Sequence, residues 1–136
     1  MVKKFYSTVR VRYGETDQMG YCYYGNYAQY LEIGRVEALR SVGIRYKELE
    51  DEGIMLPVMD LQIKYLSPAK YDDLLTIETS IEEITGSRIF FTYKICNEFE
   101  KEVVIAKTTL VFVAKETMRP IKAPDCILNA LQNESK

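Results

Sequence analysis

Histidine is absent from this 136-residue chain, and the gap removes whole classes of chemistry. Without an imidazole there is no Ser-His-Asp or Cys-His hydrolysis, no His-ligated zinc and no histidine general base. Acid–base work near neutral pH falls to Asp, Glu, Tyr, Lys or Cys. Cysteine is scarce as well. Cys22, Cys96 and Cys126 are far apart and odd in number, a pattern that argues against a disulfide framework or zinc knuckle and predicts a reducing cytoplasm. No basic run exists and the formal net charge is −2, so the charge pattern makes no case for nucleic acid. No apolar stretch approaches a membrane span. The opening residues carry Lys3 and Lys4 but no continuous apolar region behind them, so no signal peptide is expected.

What is present suits one folded domain over residues 1–136, with 47% apolar residues available for a core. Phe5–Arg12 alternates in character and reads as a first strand. A long helix is expected from Asn26, as N-cap with Gln29 completing a capping box, to just before Gly43. Tyr27, Tyr30, Leu31, Gly34, Ala38 and Val42 form one apolar stripe on it. Gly34 and Ala38 lie mid-stripe, so this helix can lie close against a sheet. Gln29, Glu32, Glu37 and Arg40 make the polar face. A short helix is expected over Tyr46–Glu52, and another over Pro124–Gln132. Four strands are expected, at about Leu56–Tyr65, Leu74–Ile84, Arg88–Asn97 and Val103–Lys115. Each has one apolar alternating set. Phe90, Val103, Ile105, Val111 and Val113 fall on the opposite faces, where an exposed antiparallel sheet is usually polar. A covering subunit is expected there.

The segment from Tyr13 to Glu32 concentrates the chemistry. It places Asp17 on a loop running directly into the long helix. A helix start offers unpaired N–H groups and partial positive charge to an oxyanion, and a carboxylate beside it can act as base or nucleophile on a carbonyl. Asp17 also suits a second role, as a turn residue whose oxygen caps nearby amides. Tyr24 and Gly25 lie at the helix start, where their backbone N–H groups can serve as oxyanion donors. Cys22 stands close to Asp17, but no histidine is present to lower its pKa, and it reads as a packing residue. Glu32 reads as structural, orienting the helix start or pairing with Arg35 or Lys64.

A strand, a long enclosed helix and a meander of long strands resemble the hotdog fold, an α+β architecture in which a five-stranded antiparallel sheet wraps the helix. V-R-Y-G-E-T-D-Q-M-G-Y-C-Y-Y-G-N-Y-A-Q-Y-L-E, from Val11 to Glu32, resembles the helix-start motif of the 4-hydroxybenzoyl-CoA thioesterase and YbgC-like acyl-CoA thioesterase family. Y-L-S-P-A-K-Y-D-D, from Tyr65 to Asp73, resembles that family's strand-end motif. The resemblance implies hydrolysis of an acyl- or aryl-CoA thioester, with Asp17 as general base or nucleophile and the Tyr24 amide as oxyanion donor. Many relatives carry histidine where this chain has Tyr24, so the resemblance extends to the backbone there and not to the side chain. The tyrosines Tyr13, Tyr21, Tyr23, Tyr24 and Tyr27 suit an acyl or aryl pocket, with Tyr13, Tyr23 and Tyr27 as the substrate-binding candidates, although most such residues serve packing. The resemblance further implies a coenzyme A rim from Lys64, Ser67, Lys70, Ser87 and Arg88. No metal or separate cofactor is expected, since coenzyme A is part of the substrate. An acyl carrier protein is a possible alternative thioester carrier. A homotetramer with active sites between subunits is implied. The competing readings are a non-catalytic acyl-thioester binding module and an enoyl-thioester hydratase, the latter disfavoured because it normally uses an Asp/His pair.

Overall fold

The computed structural model describes residues 3–134. The first strand, β1 (Lys3–Arg10), leads through the Asp17 loop into the long helix α1 (Tyr27–Ser41) and a short helix α2 (Tyr46–Asp51). Six further strands follow: β2 (Ile54–Met55), β3 (Val58–Tyr65), β4 (Leu74–Thr85), β5 (Arg88–Cys96), β6 (Glu102–Val111) and β7 (Val113–Ala114). Helix α3 (Asp125–Glu134) ends the described chain. Five strands form one antiparallel sheet in the order β1-β4-β5-β6-β3, while β2 and β7 pair separately. This is the α+β hotdog arrangement expected from the sequence.

Alternation along the strands sets which side chains meet α1. Leu75, Ile77, Thr79 and Ile81 of β4, with Ile89, Phe91, Tyr93 and Ile95 of β5, are all buried. So are Val104, Ala106 and Leu110 of β6. The apolar stripe of α1 presses onto them. Gly34 makes that approach possible: a Cβ added there would fall on Thr79 Oγ1 and lie 3.0 Å from Ile77 Cγ2. Both neighbours are β-branched and cannot easily rotate away.

The same helix face buries a charge that the apolar stripe did not reveal. Arg35 is buried, and its Nη1 donates to the Tyr93 hydroxyl at 3.3 Å, which lies 2.6 Å from Thr108 Oγ1. No carboxylate stands within ion-pair distance of Arg35 among the described residues. Glu32 is exposed and pairs with neither Arg35 nor Lys64. Burial pushes the Tyr93 and Tyr46 phenols up despite the nearby Arg35 cation, so both stay protonated at neutral pH.

Four further expectations are corrected. Asn26 does not cap α1: its backbone is already helical, it makes no side-chain cap bond, and its Nδ2 donates instead to the Glu15 carbonyl at 2.7 Å. The strand expected over Leu56–Tyr65 starts at Val58, with Ile54–Met55 drawn off to pair with β7. The last strand breaks at Phe112, whose N–H turns to the Ser87 carbonyl at 2.8 Å. Finally, Val103 and Val113 are buried within the chain itself and need no covering subunit, whereas Ile105 is exposed and Phe90 and Val111 are half-buried.

One run of exposed apolar side chains lies at the sheet edge. On β3 and just beyond it, Val58, Met59, Leu61, Tyr65 and Leu66 are each more than 40% exposed, and β3 has a hydrogen-bonded neighbour on one side only.

Gly34→Ala tests the close helix–sheet approach. Alanine adds roughly 1 kcal/mol of helix propensity, but overpacking against stiff neighbours costs about 1–3 kcal/mol. A net loss is expected, read as a lower urea midpoint, and an unchanged or higher midpoint would contradict the packing described.

Candidate active site

Asp17 sits in a tight turn. Its N–H donates to the Tyr21 carbonyl (2.8 Å), and the Gly20 N–H returns to the Asp17 carbonyl (3.0 Å). Gly20 has φ of +81°, which a side chain would strain. The two carboxylate oxygens have separate environments. Oδ1 accepts the N–H groups of Met19 (2.9 Å) and Tyr21 (3.2 Å), whereas Oδ2 accepts no hydrogen bond among the described residues. One oxygen therefore holds the turn and the other remains available.

The turn opens on a cleft of about 330 Å³ lined by Asp17, Tyr24, Tyr27, Tyr65, Ser67 and neighbours. Asp17 is the only carboxylate in that lining. The two sequence motifs build its opposite walls and are joined through backbone: the Cys22 N–H donates to the Ala69 carbonyl at 2.7 Å, and Tyr21 bridges to Lys70. Tyr65 leans edge-on against Tyr24 and Tyr27, with ring centroids 6.2 and 5.6 Å apart, and its hydroxyl donates to the Tyr24 carbonyl at 3.3 Å.

Tyr24 opens a single 3-10 turn, Tyr24–Asn26, that runs into α1. The N–H groups of Tyr24 and Gly25 donate to no carbonyl or side chain among the described residues, as expected for the first amides of a helical segment. Donors of this kind suit an oxyanion. Burial pushes the Tyr27 phenol up, reinforced by Cys22, and the Cys22 thiol is also raised by burial. Both stay protonated, which leaves Asp17 as the group in the cleft suited to act as base or nucleophile.

The fold brings together Asp17, Tyr21, Tyr24, Tyr27 and Ser67 from the residues singled out in the sequence, with Cys22 beside them. The Ser67 hydroxyl is engaged with the Glu102 carbonyl at 2.7 Å. Gly25 lies under the Tyr23 ring, and Tyr23, outside the cleft lining, leans on the Tyr24 ring at a tilt of 43°. Tyr13 packs against Tyr71 on the exterior. Lys64 lines a separate trough with Gln62, Thr92, Ile105 and Lys107. Ser87 and Arg88 occupy the β4–β5 hairpin, where Arg88 pairs with Val111, and Lys70 is exposed on the strand-end segment. Within one chain, then, Ser67 of the proposed coenzyme A rim lines the Asp17 cleft, whereas Lys64, Lys70, Ser87 and Arg88 do not. Tyr65, Leu66, Pro68 and Met19 line the cleft without having been singled out, although the strand-end motif already contained three of them. Glu15 was also overlooked. It directly precedes Thr16-Asp17, but nothing in its spacing marks it as buried. Among the described residues no three His, Cys, Asp or Glu side chains cluster as a metal site, and no helix is long and apolar enough to cross a membrane.

Residues 19–114 match the family model described as the thioesterase superfamily. The chain belongs to the thioesterase superfamily. The matched span begins two positions after Asp17, so the assignment of that residue rests on its motif and geometry. The acyl-CoA thioester hydrolase YbgC of Escherichia coli O6:H1 is 32% identical, over 88% of this chain and 90% of its own length. A DHNA-CoA thioesterase from Staphylococcus aureus superposes with a TM-score of 0.87 at 31% identity, covering 98% of this chain and 95% of that one. A 4-hydroxybenzoyl-CoA thioesterase in complex with 4-hydroxybenzoyl-CoA, 22% identical with a TM-score of 0.85 over 93% of this chain and 97% of its own, shares the fold.

Thiol accessibility checks the cleft environment. Iodoacetamide near pH 8 should label exposed Cys126 about tenfold or more faster than Cys22, which is buried and has a raised pKa. Equal labelling rates would show that the Cys22 wall is open.

Proposed function

We infer that this protein is an acyl-CoA thioesterase that hydrolyses an acyl- or aryl-CoA thioester to the free acid and coenzyme A. The observation carrying the reading is the free Oδ2 of Asp17, the sole carboxylate lining a cleft that also holds Tyr24 at the helix start. The superfamily match and the names of the relatives support the reaction class.

In this reading the thioester carbonyl lies in the cleft with its oxygen toward the Tyr24 N–H. Asp17 either takes a proton from the attacking water or attacks the carbonyl carbon itself, giving an anhydride that water then opens. Negative charge gathers on the carbonyl oxygen as the tetrahedral species forms, and the helix-start amides stabilise it. The C–S bond then breaks with its electron pair leaving on sulfur. Coenzyme A thiolate is a good leaving group, so one carboxylate with an oxyanion site suffices without histidine. The proposed chemistry calls for no resident cofactor or metal.

Asp17→Asn keeps the side chain's size and its Oδ1 acceptor but removes the basic oxygen. Turnover is expected to fall by about 10³-fold, measured by release of free thiol, while affinity for a non-hydrolysable CoA thioether changes less than threefold. Wild-type turnover in this variant would refute the assignment. A panel of aryl-, short- and long-chain CoA esters, with an acyl carrier protein thioester as a further arm, defines the substrate.

The proposed working form is a cytoplasmic homotetramer built from dimers. Three unpaired thiols support the reducing compartment. The half-paired β3 edge, with Val58, Met59 and Leu61 exposed beside it, supports a second copy pairing there. Such pairing offers a route for basic residues outside the one-chain cleft to reach a substrate from a partner subunit. Leu61→Lys should reduce the mass seen by light scattering and lower turnover together. A variant that keeps the wild-type mass would exclude β3 as the joining edge.

A further inference from the structure

Glu15 is a buried carboxylate outside the cleft lining. Its Oε1 accepts the Arg12 backbone N–H at 2.9 Å and the Tyr30 hydroxyl at 2.8 Å, and its Oε2 accepts Arg12 Nη2 at 3.0 Å and Nε at 3.3 Å. Its carbonyl accepts the Tyr23 N–H at 2.8 Å and Asn26 Nδ2 at 2.7 Å. One residue thus binds the chain before the Asp17 turn, the chain after it, the 3-10 turn that starts with Tyr24, and the first turn of α1. The loop carrying Asp17 is closed at both ends on Glu15. Cys22 adds a further tie, its Sγ lying 3.5 Å from the Tyr30 hydroxyl.

A buried carboxylate paired with a mostly exposed arginine adds little net stability, because desolvation offsets the attraction. What such an arrangement supplies is a defined geometry. Burial alone would raise the Glu15 pKa, but the Arg12 amide, the Arg12 guanidinium and the Tyr30 hydroxyl together hold it below the usual carboxylate range. The stabilisation it contributes is present above the ordinary carboxylate pKa and is lost as pH falls through the lowered value. The clamp is therefore charged throughout the neutral range.

We propose that Glu15 is a positioning residue that holds the Asp17 loop against the start of α1, through its carboxylate to Tyr30 and Arg12 and through its carbonyl to Tyr23 and Asn26. Tyr30 is its counterpart on the helix. This rests on the thioesterase reading above. A misplacement on the order of 1 Å between reacting groups can cost ~10²-fold in rate, so a loosened clamp acts on kcat before it acts on binding.

Three variants test this, read alongside wild type and Asp17→Asn: Tyr30→Phe, Glu15→Gln and the two combined. Tyr30→Phe removes one oxygen from a site that otherwise stays filled. For each single change kcat should fall about 10- to 100-fold, with KM and CoA thioether affinity within threefold of wild type. The double variant should lose no more than the worse single, since both cut the same connection. Should Glu15→Gln fail to fold, Tyr30→Phe decides alone through its kcat and KM. Folded variants with wild-type kcat, a loss confined to KM, or losses that multiply would each overturn the proposal. Those results would leave the thioesterase reading intact if Asp17→Asn is inactive. A wild type that hydrolyses no thioester would instead sink the reading beneath it.

Discussion

The contact of α1 with the sheet at Gly34 governs the rest of the molecule. With no Cβ there, the helix axis drops onto Thr79 and Ile77, β1 and β4 lie against it, and β5 meets it through Tyr93. That depth sets where the helix starts relative to the loop preceding it. It also forces Arg35, on the same face, into the interior, where the Tyr93 hydroxyl, itself bonded to Thr108, receives it in place of a carboxylate. The guanidinium has one hydrogen bond, to a neutral hydroxyl, and its buried Nε has none among the described residues, so a shift of the helix that broke the Tyr93 contact would leave a further donor unpaired. Gly34 and Arg35 thus fix the depth and orientation of one helix by packing and by hydrogen bonding.

The site depends on that placement. Asp17 was read from the sequence in two ways, as a reacting carboxylate and as a turn residue capping amides. The structure gives the carboxylate room for both, since Oδ1 is held by Met19 and Tyr21 while Oδ2 stays free. The turn bonds restrict the side chain to one orientation, so the free oxygen is presented without the entropy cost of ordering it. The strand-end motif contributes through backbone. Ala69 and Lys70 pair with Cys22 and Tyr21, which explains why two stretches distant in sequence form one cleft.

Much of the fold was legible because it depends on local periodicity. The buried sets of β4 and β5 and the polar face of α1 followed from spacing alone, and Gly34 was recognisable as a point of close approach. The failures share another cause. Asn26 had the composition of an N-cap, but the Glu15 carbonyl competes successfully for its side chain. Val103 and Val113 fell out of phase with their strand's apolar set, yet the end of the sheet and the β2–β7 pair enclose them. Tyr13, Tyr23 and Tyr27 look alike in sequence, but only Tyr27 lines the cleft.

By itself the sequence determined which chemistry was open to this protein. The lack of histidine left acid–base work to Asp, Glu, Tyr, Lys or Cys, the short run from Asp17 to the helix start offered one carboxylate beside backbone amides, and alternation marked out long strands beside a long helix. Tertiary structure decided which polar groups are buried and what they hold. The carboxylate of Glu15, the guanidinium of Arg35 and the amide of Asn26 find their partners only when separate elements dock. The identity of a residue states what it can bond, whereas the docking of distant segments decides which bond is made.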